Sequence, residues 1–306
     1  MAVRFLRHIQ VRLAAFDFGD PLADAVVIDA DPLDPVMLTV EFDVRVESAT
    51  PYPTGEIRIY NLARSTLGLL QQEYLDCQLF AGYSGGDLAP IYRGSVRRVY
   101  TESRPPDVIT TLFLGGDLRF REEVSLSLQD SDEVAVHVLA AFARMDVGVD
   151  GLRVSRLLRE PGTSTPLMLE SGYNFGPGRV ADLLTDLLVS RGFFWALRSD
   201  GTGVVLPVDS VDLDTYSTHI RVSGDSGLIG IPEVMIEEGR RSLEVSAERV
   251  DGVRIRSLLD SRFVLDRGFV VDSELVEGSV FRPISIVHRG GNRVREFYTI
   301  VEGRKV

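Results

Sequence analysis

The sequence of 306 residues contains one cysteine, Cys77. A single thiol excludes an internal disulfide, so burial and hydrogen bonding must hold the fold. Cys77 opens a strand-like run, C-Q-L-F-A-G-Y, where a small apolar core residue is expected rather than a reactive thiol. No apolar run approaches the roughly 20 residues of a membrane helix, so no membrane partner is expected. The first residues, M-A-V-R-F-L-R-H, scatter charge and lack an apolar h-region, which predicts no secretory signal. Basic stripes are missing as well: Arg97-Arg98 and Arg240-Arg241 are isolated pairs, and the net charge is −12. Gripping nucleic acid needs the opposite balance, although an acidic surface can guide DNA past it. The histidines, His8, His137, His219 and His288, lack a metal-ligand spacing such as H-E-x-x-H. No metal and no cofactor is implied.

What is present is alternation. In M-L-T-V-E-F-D-V-R-V-E, residues 37–47, Leu38, Val40, Phe42, Val44 and Val46 share one face, with Thr39, Glu41, Asp43, Arg45 and Glu47 opposite. That is the pattern of a half-buried antiparallel strand. A second strand covers E-I-R-I-Y, and others are expected at 76–83, 90–102 and 107–115, with turns at Ser84-Gly85-Gly86-Asp87 and Pro105-Pro106-Asp107. From about 119 the character changes. Asp130-Ser131 is placed to cap a helix over 132–144, and a second helix is expected over 178–191, stopped by Gly192. F-F-W-A-L-R-S-D-G-T-G-V-V-L-P-V reads as a hairpin turned at Ser199-Asp200-Gly201. Strands return from about 218, with turns at Glu277-Gly278 and Gly290-Gly291-Asn292. The expected organisation is mainly β and α+β overall: residues 1–118 and 216–306 as antiparallel β-barrel domains, flanking a smaller α+β module over 119–215.

Several motifs suggest chemistry and fail on context. Gly82-Tyr83-Ser84-Gly85-Gly86 matches G-x-S-x-G, but the nucleophile elbow needs a following helix, and Pro90 opens a strand instead. Gly176-Pro177-Gly178-Arg179-Val180-Ala181 matches a dinucleotide fingerprint without its βαβ setting; Pro177 preset in the first turn of a helix is the simpler account. Asp209, Asp212 and Asp214 alternate with Val211 and Leu213, as on a solvated strand face, which outweighs a cation site. His137 is expected to be structural, and Asp130, Asp132 and Glu133 to favour a helix N-terminus. No catalytic residue is assigned.

One stretch is odd for a β-rich chain. E-I-R-I-Y-N-L-A-R-S-T-L-G-L-L starts as a strand through Ile59, breaks at Asn61-Leu62, and becomes a short helix to about Gln72 carrying Leu67 and Leu70. With A-G-Y at 81–83 (Gly82, Tyr83) and I-Y-R-G-S-V at 91–96 (Gly94), this order resembles the first domain of phage tail or baseplate hub proteins. S-G-L-I-G-I-P-E at 226–233 (Gly227, Gly230, Pro232) and G-V-R-I-R-S-L-L-D at 252–260 (Leu258, Leu259) resemble that family's Gly-Leu-x-Gly-x-Pro and Leu-Leu-Asn/Asp segments. The closing G-S-V-F-R-P-I-S-I-V-H-R-G-G looks like its last hairpin, with Gly290-Gly291 where the family more often has Gly-Asp. The resemblance implies two tail-tube-like β-barrels and a homotrimer of pseudo-sixfold symmetry. Its partners would be the hexameric tail-tube protein, the trimeric central spike protein and other baseplate proteins. DNA would pass through the lumen without specific binding, in a virion tail assembled in the host cytoplasm. It further implies that the short helix plugs the barrel, with Leu67 and Leu70 buried, and that the motif residues shape turns and packing. The hub of a tailocin or of a secretion-system spike would share these features. A tail-associated glycan hydrolase is the alternative of another class; it would need two carboxylates about 5–10 Å apart in a cleft.

Overall fold

Strict alternation over Val40–Glu47 produces a strand with Val40, Phe42, Val44 and Val46 buried and the intervening side chains facing out. The same logic repeats through the chain in a computed structural model that describes residues 6–15, 26–70, 75–86, 88–116, 120, 122–160, 162–208, 219–235, 251–273, 276 and 278–306. The N-terminal part holds β1 (Arg7–Ala15), β2 (Val26–Ala30), β3 (Val40–Glu47), β4 (Thr54–Tyr60), α1 (Arg64–Leu70), β5 (Leu75–Tyr83), β6 (Ala89–Arg104) and β7 (Asp107–Leu114). The middle holds β8 (Glu123–Leu128), α2 (Val134–Arg144), α3 (Gly151–Leu157), β9 (Tyr173–Arg179), α4 (Val180–Val189), β10 (Phe193–Leu197) and β11 (Gly203–Pro207). The last part holds β12 (Ile220–Val222), β13 (Glu233–Met235), β14 (Gly252–Leu258), β15 (Phe269–Val271), β16 (Val280–Gly291) and β17 (Phe297–Lys305).

The two β-rich ends are not separate sheets. One sheet of 13 strands runs β13-β14-β17-β16-β3-β4-β7-β6-β5-β1-β2, with β12 and β15 attached beside β16. Its seam is the antiparallel pairing of β16 with β3, from Ser285 opposite Glu47 to Gly291 opposite Glu41. The fold is mainly β and antiparallel, as the alternation predicts. Among the described residues no sheet closes on itself, and at its N-terminal end the open sheet curls back. At the N-terminal end β1, β3, β4 and β5 bury Ile9, Val44, Ile57 and Leu79 in a common core. Arg7 stitches this curl: its guanidinium donates to the carbonyls of Gly291 (2.9 Å), Glu296 (3.1 Å), Arg295 (3.0 Å) and Val294, and lies over the Phe297 ring.

A second core belongs to the middle module, where α2 and α4 pack Val138, Phe142, Leu184 and Leu188 around Trp195. The third core gathers Phe263, Phe269, Phe281 and Val301 of the last part. The β10–β11 hairpin is the wall between these two. Trp195, Leu197 and Val205 face the middle core, while Ala196, Val204 and Leu206 face the last one. A strand buried on both faces carries an unbroken apolar run, which is how F-F-W-A-L and G-V-V-L-P read. Gly203 is needed where β11 crosses Phe142, because a Cβ there would lie 2.5 Å from the ring.

Several local expectations need correction. Pro177 does not start a helix; it lies in β9, and α4 begins after Arg179 as N-cap. Asp130-Ser131 does not cap α2. Glu133 holds the N-cap position without a side-chain bond, and Ser131 is in a turn at φ 65°. Strand β16 continues through Gly291, so its turn falls later, over 292–296. The strands β1 and β2 escaped the pattern reading, although Ile9, Val11 and Leu13 alternate in the first of them. The Asp209, Asp212 and Asp214 cluster, Arg240-Arg241, Asp87, Gln72 and Glu277 lie outside the described residues.

Helix α1 packs on the first core as its leucine spacing implies. Leu70 is buried, Leu67 is partly buried against the same core, and Leu69 is 48% exposed. Leu70→Ala is expected to cost about 2–5 kcal/mol in urea unfolding, and Leu69→Ala to stay within about 0.5 kcal/mol. Equal effects at both positions would mean that α1 is not a plug.

Candidate assembly surface

The outward face of β16, β3, β4, β7 and β6 carries many polar and charged side chains. Register sets its side chains in rows. Arg289, Asp43, Glu56, Phe113 and Arg98 lie side by side across successive strands, and Gly291, Glu41, Arg58, Thr111 and Tyr100 form the next row. Two depressions of about 220 and 310 Å³ on this face share Glu56 and Arg58. The opposite face of the same strands buries Phe42, Val44, Ile57, Ile59 and Leu112.

Most arginines of this face already have a partner; exposed Arg97, at the bulge of β6, has none among the described residues. Arg45 meets Glu47 at 3.2 Å and Arg104 meets Glu102 at 2.8 Å, Arg58 bonds Glu56, and Arg289 bonds Asp43. Arg98 lies over the Tyr100 ring, 5.8 Å from its centre. The bond from Asp43 raises the Arg289 pKa further. Tyr60 donates to Glu41 at 3.0 Å; burial and that carboxylate push its phenol pKa up. Exposed pairs of this kind add little stability. Their chemical effect is to leave few unengaged cations among the described residues of a face of mixed sign. Basic residues here are almost all arginine, with Lys305 the lone lysine, and the planar guanidinium suits such pairing.

The motif residues fall at three joints rather than in one cleft. At the first, Asn61 ends β4 in the left-handed region at φ 57°, a conformation asparagine tolerates better than most residues. Its Nδ2 donates to Asp107 (2.8 Å) and its Oδ1 accepts from Val108 N–H (2.9 Å), which ties the exit of β4 to the start of β7. Ile59 and Leu62 are buried beside it. At the second joint the Tyr83 hydroxyl accepts from Leu259 N–H at 3.2 Å, and its ring stands edge-on to Phe297 at 5.2 Å. Residues of both ends of the chain therefore meet in the first core, where Leu259 is buried. Gly82 precedes Tyr83 in β5 opposite His8, and Gly94 is required by packing, since a Cβ would lie 2.7 Å from Tyr92 Oη. At the third joint Gly227 (φ 116°) and Gly230 (φ 76°) shape a loop pinned to β14. Leu258 N–H donates to Gly227 O (2.8 Å), Ile229 N–H to Arg256 O (2.7 Å), and Pro232 is buried beyond them.

Ion pairs dock the middle module. Asp266 is 5% exposed and accepts from Arg198 Nε at 2.9 Å, from Arg198 Nη2, and from Arg153. Burial alone would raise its pKa, but Arg198 and Arg153 together hold the carboxyl below the ordinary range. Arg282 donates to the carbonyls of Pro207 (2.7 Å) and Val208 (3.2 Å) and lies over Phe194. Cys77 is fully buried, and burial raises its thiol pKa, so it is inert. His137 pairs with Asp132 at 3.3 Å. No group of three or more potential metal ligands occurs among the described residues, and no helix among them is long and apolar enough to cross a membrane.

No protein-family model matches the sequence, and no curated protein matches it. Solved structures do match its fold. A 43 kDa tail protein of prophage MuSo2 from Shewanella oneidensis has a TM-score of 0.57 at 8% identity, over 96% of this chain and 97% of that one. A tail protein from Neisseria meningitidis MC58 has a TM-score of 0.58 at 12% identity, over 97% and 96%. An E. coli component of the type VI secretion system, reported to resemble the T4 tail proteins gp27 and gp5, has a TM-score of 0.55 at 12% identity, over 88% of this chain and 73% of that one. At these identities the likeness is one of fold.

One buried group makes a measurable statement about the seam. His288 sits on β16 between β3 and β17, fully buried. Thr299 Oγ1 accepts from Asp260 N–H at 3.0 Å and reaches His288 Nδ1 at 3.0 Å. The tautomer sets which of Nδ1 and Thr299 Oγ1 donates, and Nε2 is buried with no partner among the described residues. Burial lowers the His288 pKa to about 4. Between the unfolded value near 6.5 and the folded value near 4, the unfolded chain binds the extra proton. Stability should thus be complete above about pH 6.5 and fall by on the order of 2–3 kcal/mol towards pH 4. Urea titrations of wild type and His288→Gln should diverge in that window, and parallel curves would show that His288 is not held neutral.

Proposed function

We propose that the chain is a structural tail hub, a trimeric adaptor between a hexameric tail tube and a trimeric central spike. The observation that carries this reading is the match over nearly the whole of both chains to tail proteins, together with a sheet that spans both ends of the chain. Its two halves would each take the place of one tube-like barrel, so that three chains present six similar units. Residues 1–118 and 216–306 would form those units, with residues 119–215 as the module packed on them. The charged face of β16, β3, β4, β7 and β6 would line the conduit. With most of its arginines already engaged, it offers phosphate few unpaired cations and lets DNA slide. The partners would be the tail-tube protein, the spike protein and other baseplate proteins, and the location the tail of a virion. No catalytic role is proposed. The likeness to a type VI secretion component favours one related reading, in which the same adaptor serves a spike that carries no genome.

A reconstruction of the assembled tail tests the hub assignment directly. Three copies at the tube–spike junction are expected, and any other position overturns it. The conduit reading has its own test in DNA binding. Wild type is expected to bind duplex DNA negligibly at 50–100 mM salt, roughly the range where phosphate contacts dominate. The Asp43→Asn, Glu56→Gln, Glu102→Gln variant, with Arg289, Arg58 and Arg104 released, should gain salt-dependent binding. Tight binding by wild type would argue against a lumen face.

A further inference from the structure

Strand β6 changes partners halfway along. Residues 89–95 pair with β5, whose ladder stops at Asp76 opposite Ser95, and residues 96–104 pair with β7. Over 97–104 the side that faced β5 has no strand among the described residues, and none of these residues is buried. Alternation fixes which backbone groups this open edge offers. Val108 gives its N–H and C=O to Asn61, so Thr110 and Leu112 also serve β4. Their opposites on β6, Ser103, Thr101 and Val99, therefore turn N–H and C=O away from β7.

A matching edge lies at the far end of the sheet. Eight strands run β6-β7-β4-β3-β16-β17-β14-β13, each antiparallel to the next, and β13 pairs with β14 alone. Lys305 N–H donates to Asp251 O at 2.8 Å, so Val253 also serves β17, while Arg254 serves β13. Val234, opposite Val253, thus turns its backbone groups outward. Val234 packs on the last core and Val99 on the first. On both edges the residue offering its backbone carries its side chain on the apolar face. Joined edge to edge, the two therefore keep the charged face continuous. That face already reaches β13: Arg256 lies over the Tyr298 ring, and Arg254 stands between Glu302 (3.4 Å) and Glu233 (3.6 Å). With eight alternating strands, β13 runs opposite to β6, so a copy rotated about an axis along the strands presents an antiparallel partner. Pairing would also cover apolar surface at the edges, where Ile231 is 80% and Tyr100 45% exposed.

We propose that residues 97–104 of β6 pair antiparallel with β13 of a second copy, so that the sheet continues from chain to chain. The contact is head-to-tail, and repeated it closes into a ring or runs on as a filament. The joint rests on the hub reading only for the number of copies, three.

Three registers satisfy the alternation, with Val234 opposite Val99, Thr101 or Ser103. Each sets Tyr100 or Glu102 across from Glu233 or Met235. Four double-cysteine variants combine those positions in a Cys77→Ala background, and the concentrated full chain is oxidised and separated by mass without reductant. Within one chain the two edges lie seven strand spacings of about 4.8 Å apart, so a disulfide must join copies. At least one variant should give covalent dimers and trimers. Monomer alone in all four overturns the joint. Thr101→Pro removes an outward N–H and no ladder bond to β7, a position where edge strands accept proline. Added to the linking variant, it should cut the cross-linked fraction at least about tenfold, since proline blocks strand addition. Unchanged linking by a folded Thr101→Pro chain overturns the joint; should that chain fail to fold, the four pairs decide alone. A wild-type trimer in sedimentation with no linkage at any pair would overturn the joint and leave the hub reading standing. Linked products running past three chains would keep the joint and overturn the hub reading.

Discussion

The fold hangs on the pairing of β3 with β16. These strands meet across a separation of 246 residues at the Arg289–Asp43 bond, so nothing local brings them together. Closing so long a loop costs conformational entropy that only extensive burial offsets. The burial is there on both sides of the seam: Phe42 and Val44 feed the first core, while Val46, Ile286 and Phe281 feed the last one. Once the seam forms, β4, β7 and β6 extend it one way, and β17 and β14 the other. The charged face is a consequence of the same pairing, because its rows exist only in that register.

The β10–β11 hairpin plays the corresponding part for the middle module. Its alternate side chains belong to two cores, so the module cannot leave without exposing Ala196, Val204 and Leu206 of the last core. Arg282 and the Asp266 pairs add direction to that apolar contact. A buried ion cluster of this kind is poor evidence of stability, since desolvation opposes it.

Much of the architecture was legible in the residues. The period-two pattern of 37–47, the leucine spacing of α4 and the Ser199-Asp200-Gly201 turn all describe contacts made within a few residues, and those survived. Boundaries failed where a tertiary partner intervened. Pro177 is suited to a helix start, yet Gly176-Pro177-Gly178 pairs with β8 as a strand. Of the motif residues, Tyr83 and Leu259 could be read as turn or packing residues, but their direct hydrogen bond joins segments 176 residues apart.

By itself the sequence determined the mainly antiparallel character, the α+β interlude, the buried cysteine and the net charge of −12. These follow from composition and from side-chain period, which are properties of short stretches. Only the tertiary structure decided that the two β-rich ends share one sheet, that the polar side chains of five strands form paired rows, and that Arg153 and Arg198 share Asp266. Those depend on register and on long-range packing, and a one-residue slip in β3 against β16 would turn every side chain of that strand to the other face.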